Sequence, residues 1–117
     1  MEQNYKSFSE LVGKCPYVTT QKLLSGKWTV MILFFLSLGT HRFGELSRKM
    51  AGISQATLTS QLRFLEKEKM IERIVYAEIP PKVEYKLSDL GKEFQGVLDA
   101  IQSFGEIYIN TLYKNKK

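Results

Sequence analysis

The sequence predicts an α+β fold in which two short helices joined by a tight glycine turn lead into a two-stranded β-hairpin, with long helices at both ends. Three observations predict it. Apolar residues recur at helical spacing through residues 19–38, 43–50 and 55–69. Residues 71–87 switch to β-forming and alternating residues around a proline-containing tip. From 89 to 112 the helical spacing returns as one long apolar seam.

Each element follows from its residues. The chain has 117 residues, 44% of them hydrophobic and 25% charged, which suits a single packed domain over 1–117 and leaves too little for a second. Residues 28–36 are apolar nearly all round, so the helix over 19–38 lies in the middle of the domain, and Gly39 stops it. Phe43, Leu46 and Met50 then mark a helix of about two turns that ends before Gly52, where the chain turns. Ser54 occupies an N-cap position, and Leu58, Leu62 and Leu65 draw one narrow apolar stripe along the helix over 55–69. Two such helices with a glycine turn between them make a helix-turn-helix.

Residues 71–79 are rich in β-formers, and Val83, Tyr85 and Leu87 alternate with polar residues, so two strands flank the tip Pro80, Pro81 and Lys82. Prolines cannot donate to a ladder, so the tip projects as a wing, and the fold is a winged helix-turn-helix. Ser88 caps the final helix, along which Leu90, Phe94, Val97, Ile101, Phe104 and Tyr108 step by four and three. That is the seam of a helix packed along another. The basic residues 114–117 are expected to fray.

Composition narrows the function. Seventeen Lys and Arg against twelve Asp and Glu give a net charge of +5, which suits a polyanionic partner. The longest apolar run, 30–36, is far short of the roughly 18 residues of a membrane span. The lone Cys15 excludes an internal disulfide, and residues 1–10 carry no secretory pattern, so a cytoplasmic protein is expected. One histidine, His41, one cysteine and scattered carboxylates assemble no metal site. With no phosphate loop or nucleophile elbow either, neither an enzyme nor a cofactor is expected.

The constellation with chemistry is the outer face of the helix after Ser54. Ala56, Thr59, Ser60, Arg63 and Lys67 lie opposite the leucine stripe, with Gln55 and Thr57 flanking the helix start. An α-helix fits the major groove, where small polar residues allow close approach, Gln55 can pair with adenine and Arg63 with guanine or a phosphate. Arg42, Arg48 and Lys49, on or near the preceding helix, are candidates for phosphate contact, and so is Lys82 at the wing tip. His41 reads as a plain loop histidine. The aromatic cluster around Trp28 reads as core, with an effector pocket as its alternative. Double-stranded DNA is thus the expected partner. The alternative is a protein-interaction module on the same scaffold, which would lack the steep salt dependence of counterion release.

Short segments in order carry a family resemblance from about residue 15 to 108. They are Cys15-Pro16, Gly26-Lys27-Trp28-Thr29, Arg42-Phe43 with Glu45-Leu46, Ile53-Ser54-Gln55 with Thr57-Leu58, and Leu62-Arg63 with Leu65-Glu66. The wing segment Pro80-Pro81-Lys82-Val83-Glu84-Tyr85, followed by Leu90-Gly91, completes the series. The chain resembles the HxlR-type winged-helix regulators, and Phe64 departs from their usual polar residue. The resemblance implies bacterial homodimeric repressors or activators that answer to oxidants, electrophiles or small molecules. It also implies a sensing thiol at Cys15, which a positive neighbour, Lys14, favours where the sulfur is partly exposed. A buried, idle thiol is the alternative.

The dimer has a geometric reason. A helix over about 89–112 is roughly 36 Å long, more than a small winged-helix core covers. The seam residues Val97, Ile101, Phe104 and Tyr108, joined by Phe8, Leu11 and Val12, are therefore expected to meet a second copy. Gly96 and Gly105 fit a close backbone approach there. Such a dimer presents two reading helices about 34 Å apart and calls for a pseudo-palindromic operator.

Overall fold

The computed structural model describes residues 7–114. A one-turn 3-10 helix, Ser9–Leu11, precedes α1 (Pro16–Leu23), α2 (Thr29–Ser37), α3 (Phe43–Lys49) and α4 (Gln55–Lys67). The hairpin β1 (Ile71–Tyr76) and β2 (Lys82–Leu87) follows, then a short α5 (Asp89–Lys92), α6 (Gln95–Ile109) and a π-helical turn, Asn110–Lys114. The strands pair antiparallel, from Ile71 opposite Leu87 to Tyr76 opposite Lys82.

The core is built where α2, α3 and α4 converge over the root of the hairpin. Ile32, Leu33 and Leu36 from α2 join Leu46, the α4 stripe Leu58, Leu62 and Leu65, and Ile71 and Leu87 at the hairpin root. Phe94 and Leu98 close this cluster from the C-terminal side. Phe64 is half-buried against it.

Three expectations need correction. The helix expected over 19–38 is two helices, broken at residues 24–28. Leu24 N–H closes on the Thr20 carbonyl at 3.0 Å, and Gly26 then lies against the hydrogen bond that the Thr29 hydroxyl donates to Gln61 Oε1 (3.1 Å). A Cβ at Gly26 would overlap both partners, so a larger residue there would displace the Gln61 and Thr29 side chains. The C-terminal helix is likewise interrupted at residues 93 and 94. Glu93 and Phe94 N–H groups bond back three residues, to Leu90 and Gly91, and this tight turn brings Leu98 rather than Val97 into the core after Phe94. The first strand ends at Tyr76, three residues early, and Lys82 opens β2 rather than forming the tip.

His41 is not a plain loop residue. It is buried and bridges Tyr85 as a one-residue third strand, with N–H to O distances of 2.9 and 2.8 Å. Its Nδ1 lies 2.7 Å from the Gly39 carbonyl, which fixes Nδ1 as the protonated nitrogen and leaves Nε2 to accept from the Lys49 ammonium at 2.6 Å.

One joint links α4 to the C-terminal helices. Lys69 adopts a left-handed φ of +64° that ends α4, and Met70 N–H closes on the Leu65 carbonyl at 3.0 Å. The Ser88 hydroxyl donates to the Lys69 carbonyl (2.6 Å) and accepts from Gly91 N–H (2.9 Å), while Ser88 N–H donates to the Met70 carbonyl (3.0 Å). Gly91 presses so closely on Met70 that a Cβ there would overlap the carbonyl oxygen.

Candidate nucleic-acid interface

The α3–α4 pair is set by its turn and cap. Gly52 takes a φ of +94°, which an L side chain would strain, and Ile53 N–H bonds the Met50 carbonyl at 3.2 Å. Ser54 Oγ then accepts Thr57 N–H at 3.1 Å and donates to Thr57 Oγ1 at 2.9 Å. That satisfies a first-turn donor and also engages the Thr57 hydroxyl, so Thr57 is half-buried cap rather than free reading surface.

Beyond the cap, α4 has two opposite faces. Leu58, Leu62 and Leu65 are at most 1% exposed, whereas Gln55, Ala56, Ser60 and Arg63 are exposed. Thr59 is half-buried. The N-terminal half of α4 thus carries its small polar residues outward on a rigidly buried stripe.

On α3, Arg42 and Arg48 are exposed. Arg42 is the N-cap residue, and its backbone N–H donates to Glu45 Oε1 at 2.7 Å. That hydrogen bond is the main reason the Glu45 carboxyl is held below the usual carboxylate range. Lys49 is differently engaged: besides donating to His41, its ammonium lies 5.7 Å from the Phe35 ring centroid.

The wing has two unlike faces. Strand alternation puts Arg73 and Tyr85 on the side of the buried Ile71 and Leu87, toward α4, where they line one polar cleft with Thr59, Arg63 and Glu66. Tyr76, Lys82 and Glu84 lie on the other side. There the Lys82 ammonium is 3.7 Å from Glu84 Oε2 and 4.8 Å from the Tyr76 ring centroid, and the Tyr76 hydroxyl donates to Glu84 Oε1 at 2.8 Å. This carboxylate neighbour raises the Tyr76 pKa. Lys82 is therefore held on the far face of the wing, not free at its tip. Sequence reasoning missed Arg73, although the period-two alternation that assigns its face was already visible around it.

The other expected residues lie elsewhere. Cys15 is 6% exposed at the N-terminus of α1, so the partial exposure that would favour a reactive thiolate is not met in this chain. Leu11 and Val12 are half-buried, while Phe8, Val97, Ile101, Phe104 and Tyr108 are exposed. Gly96 and Gly105 face open space.

Comparison with known proteins agrees with this geometry. Residues 23–113 match the HxlR-like helix-turn-helix family. The HTH-type transcriptional regulator YtcD of Bacillus subtilis is 46% identical over 94 residues, covering 80% of this chain and 75% of its own. The redox regulator HypR, solved in its reduced form, superposes with a TM-score of 0.81 at 33% identity, covering 86% of this chain and 99% of its own. The reduced transcriptional regulator YodB of B. subtilis does so with a TM-score of 0.72 at 30% identity, over 88% and 98%. With the glycine turn, the capped α4 and the wing in place, this chain belongs to the HxlR-like helix-turn-helix family of transcriptional regulators.

Proposed function

We propose that the protein is a cytoplasmic, homodimeric regulator that reads a pseudo-palindromic DNA operator with α4 in the major groove and answers to an oxidant, an electrophile or a small molecule. The two-faced α4 carries this reading: a helix pinned by three buried leucines presents Gln55, Ala56, Ser60 and Arg63 outward. Base edges in the major groove are read by side chains of this kind, and Arg42 and Arg48 supply positioning contacts to phosphates.

Dimerisation rests on α6. Beside Leu98, where the chain's own core ends, stands exposed Val97, and Ile101, Phe104 and Tyr108 carry the apolar stripe onward. The radius of gyration, 17.0 Å, exceeds the ~13 Å of a compact domain of this length, because the chain is drawn out rather than folded back on itself. A symmetric second copy covers that stripe, with the segment around Phe8 at its edge. Fluorescence anisotropy with duplex DNA over a salt series tests the reading. Binding that weakens steeply with salt is expected, and a protein-interaction module would show no such slope.

The oxidant response is assigned to Cys15, the chain's single thiol. HypR and YodB, both solved as reduced forms, support a redox signal. With one cysteine per chain the covalent product is a modified thiol or an intersubunit disulfide. Two Cys15 thiols give up two protons and two electrons to diamide, which becomes the hydrazine, and one S–S bond forms. Because Cys15 is only 6% exposed, its surroundings have to open before two sulfurs can meet. Non-reducing gels after diamide treatment are expected to show the dimer, and Cys15→Ser to bind DNA while ignoring oxidant. Wild-type protein that releases DNA yet stays unmodified would sink this assignment.

A further inference from the structure

A cleft between α4 and the wing shares Arg63 with the outward face of α4. Thr59, Arg63 and Glu66 form its helix side, and Arg73 and Tyr85, paired directly across the hairpin, form its wing side. Two guanidinium groups therefore line one small polar cleft against a single carboxylate. Among the described residues, the two salt bridges join Lys82 to Glu84 and Lys86 to Glu72, both on the far face of the wing. Among the described residues, neither Arg63 nor Arg73 has a carboxylate within salt-bridge distance or a hydrogen-bonded side chain, and both are exposed.

Like charges gathered in a cleft cost free energy unless an anion joins them. Arginine's planar fork suits phosphate oxygens bidentately, and the Thr59 and Tyr85 hydroxyls of the same cleft offer further donors. The far face is the reverse case, since each of its lysines already has a carboxylate at 3.7 Å.

We propose that the Arg63–Arg73 cleft is a phosphate clamp. One phosphodiester of the DNA backbone sits between α4 and the wing, and Arg73, not Lys82, is the wing's DNA-contacting cation. This rests on the reading of α4 as the DNA-binding helix. The clamp fixes the depth of α4 in the groove, so it positions the base-reading residues without carrying sequence information.

The test uses the full chain and a fluorescein-labelled duplex of mixed sequence, because a phosphate contact is independent of sequence. Anisotropy titrations at several salt concentrations give the slope of log affinity against log salt. Arg73→Gln is expected to reduce the slope by about one, the share of one phosphate, while Arg73→Lys retains it and Lys82→Gln leaves it at the wild-type value. Circular dichroism of each variant checks that the fold is intact. A wild-type slope in Arg73→Gln, or an equal loss in Lys82→Gln, overturns the clamp while wild-type binding upholds the DNA reading. Absence of salt-dependent binding in the wild type overturns both.

Discussion

Helices α4 and α6 are alike in pattern and opposite in fate. Each carries an apolar stripe at steps of three and four. In α4 the stripe disappears into the core against Ile32, Leu33, Leu36 and Leu46. In α6 only Phe94, at its N-cap, and Leu98 are buried, and Phe104 remains 65% exposed. A periodic stripe thus states that a helix has a face to hide and leaves open which surface hides it. For α4 the partner is in the same chain. For α6 the described residues supply no cover beyond Leu98, and the proposed second copy is what would hide it.

That contrast can be broken most forcefully at α4. Leu62→Ala is expected to cost about 2 to 5 kcal/mol of folding stability, read as a lower urea midpoint with an unchanged slope. A loss below about 1 kcal/mol would mean that the α4 stripe is no better packed than that of α6. Thr29→Val comes next. It removes the donor to Gln61 that ties α2 to α4 and should cost about 1 kcal/mol, because half-buried Gln61 can turn to water.

Ile101→Glu with Phe104→Glu sharpens the contrast from the other side. The folded monomer should change by about 0.5 kcal/mol or less, as at exposed sites, and keep its helical circular dichroism. Light scattering should show the mass halve, Tm should lose its dependence on protein concentration, and DNA affinity should fall as each subunit binds alone. Double-mutant protein that remains dimeric would place the interface elsewhere. The smallest effect belongs to Glu45. Its folded pKa is depressed, so its contribution is present at neutral pH and is lost as pH falls through the folded value. Glu45→Gln should therefore flatten the acid side of the Tm profile slightly, with amide exchange rising first at the start of α3 and not in α6.

Local signals were readable from the sequence and long-range ones were not. Ser54, Gly52 and the leucine stripe act within one or two turns, and the sequence placed them where the structure has them. The close approach of Gly26 to the Thr29–Gln61 hydrogen bond was hidden because that bond joins residues 32 apart in the chain. The His41 bridge to Tyr85 is equally remote in sequence. Lys82 was assigned to the tip because two prolines suggested a longer turn, whereas pairing with Tyr76 draws it into the strand. The interruption before α6 came from the packing of Gly91 on Met70, a backbone contact that no side-chain pattern records.

The Ser88 joint makes a lever of the reading helix. It fastens the C-terminal end of α4 to the start of the C-terminal helices, so a tilt of α6 is delivered at the base of α4. Thirteen helical residues make an arm of about 20 Å. A tilt of about 10° at its base sweeps the N-terminal end, where Gln55 and Ala56 stand, through about 3.5 Å, which is one base-pair step along DNA. In the proposed dimer, a change of that size in the angle between two copies would move both reading ends out of register with their half-sites.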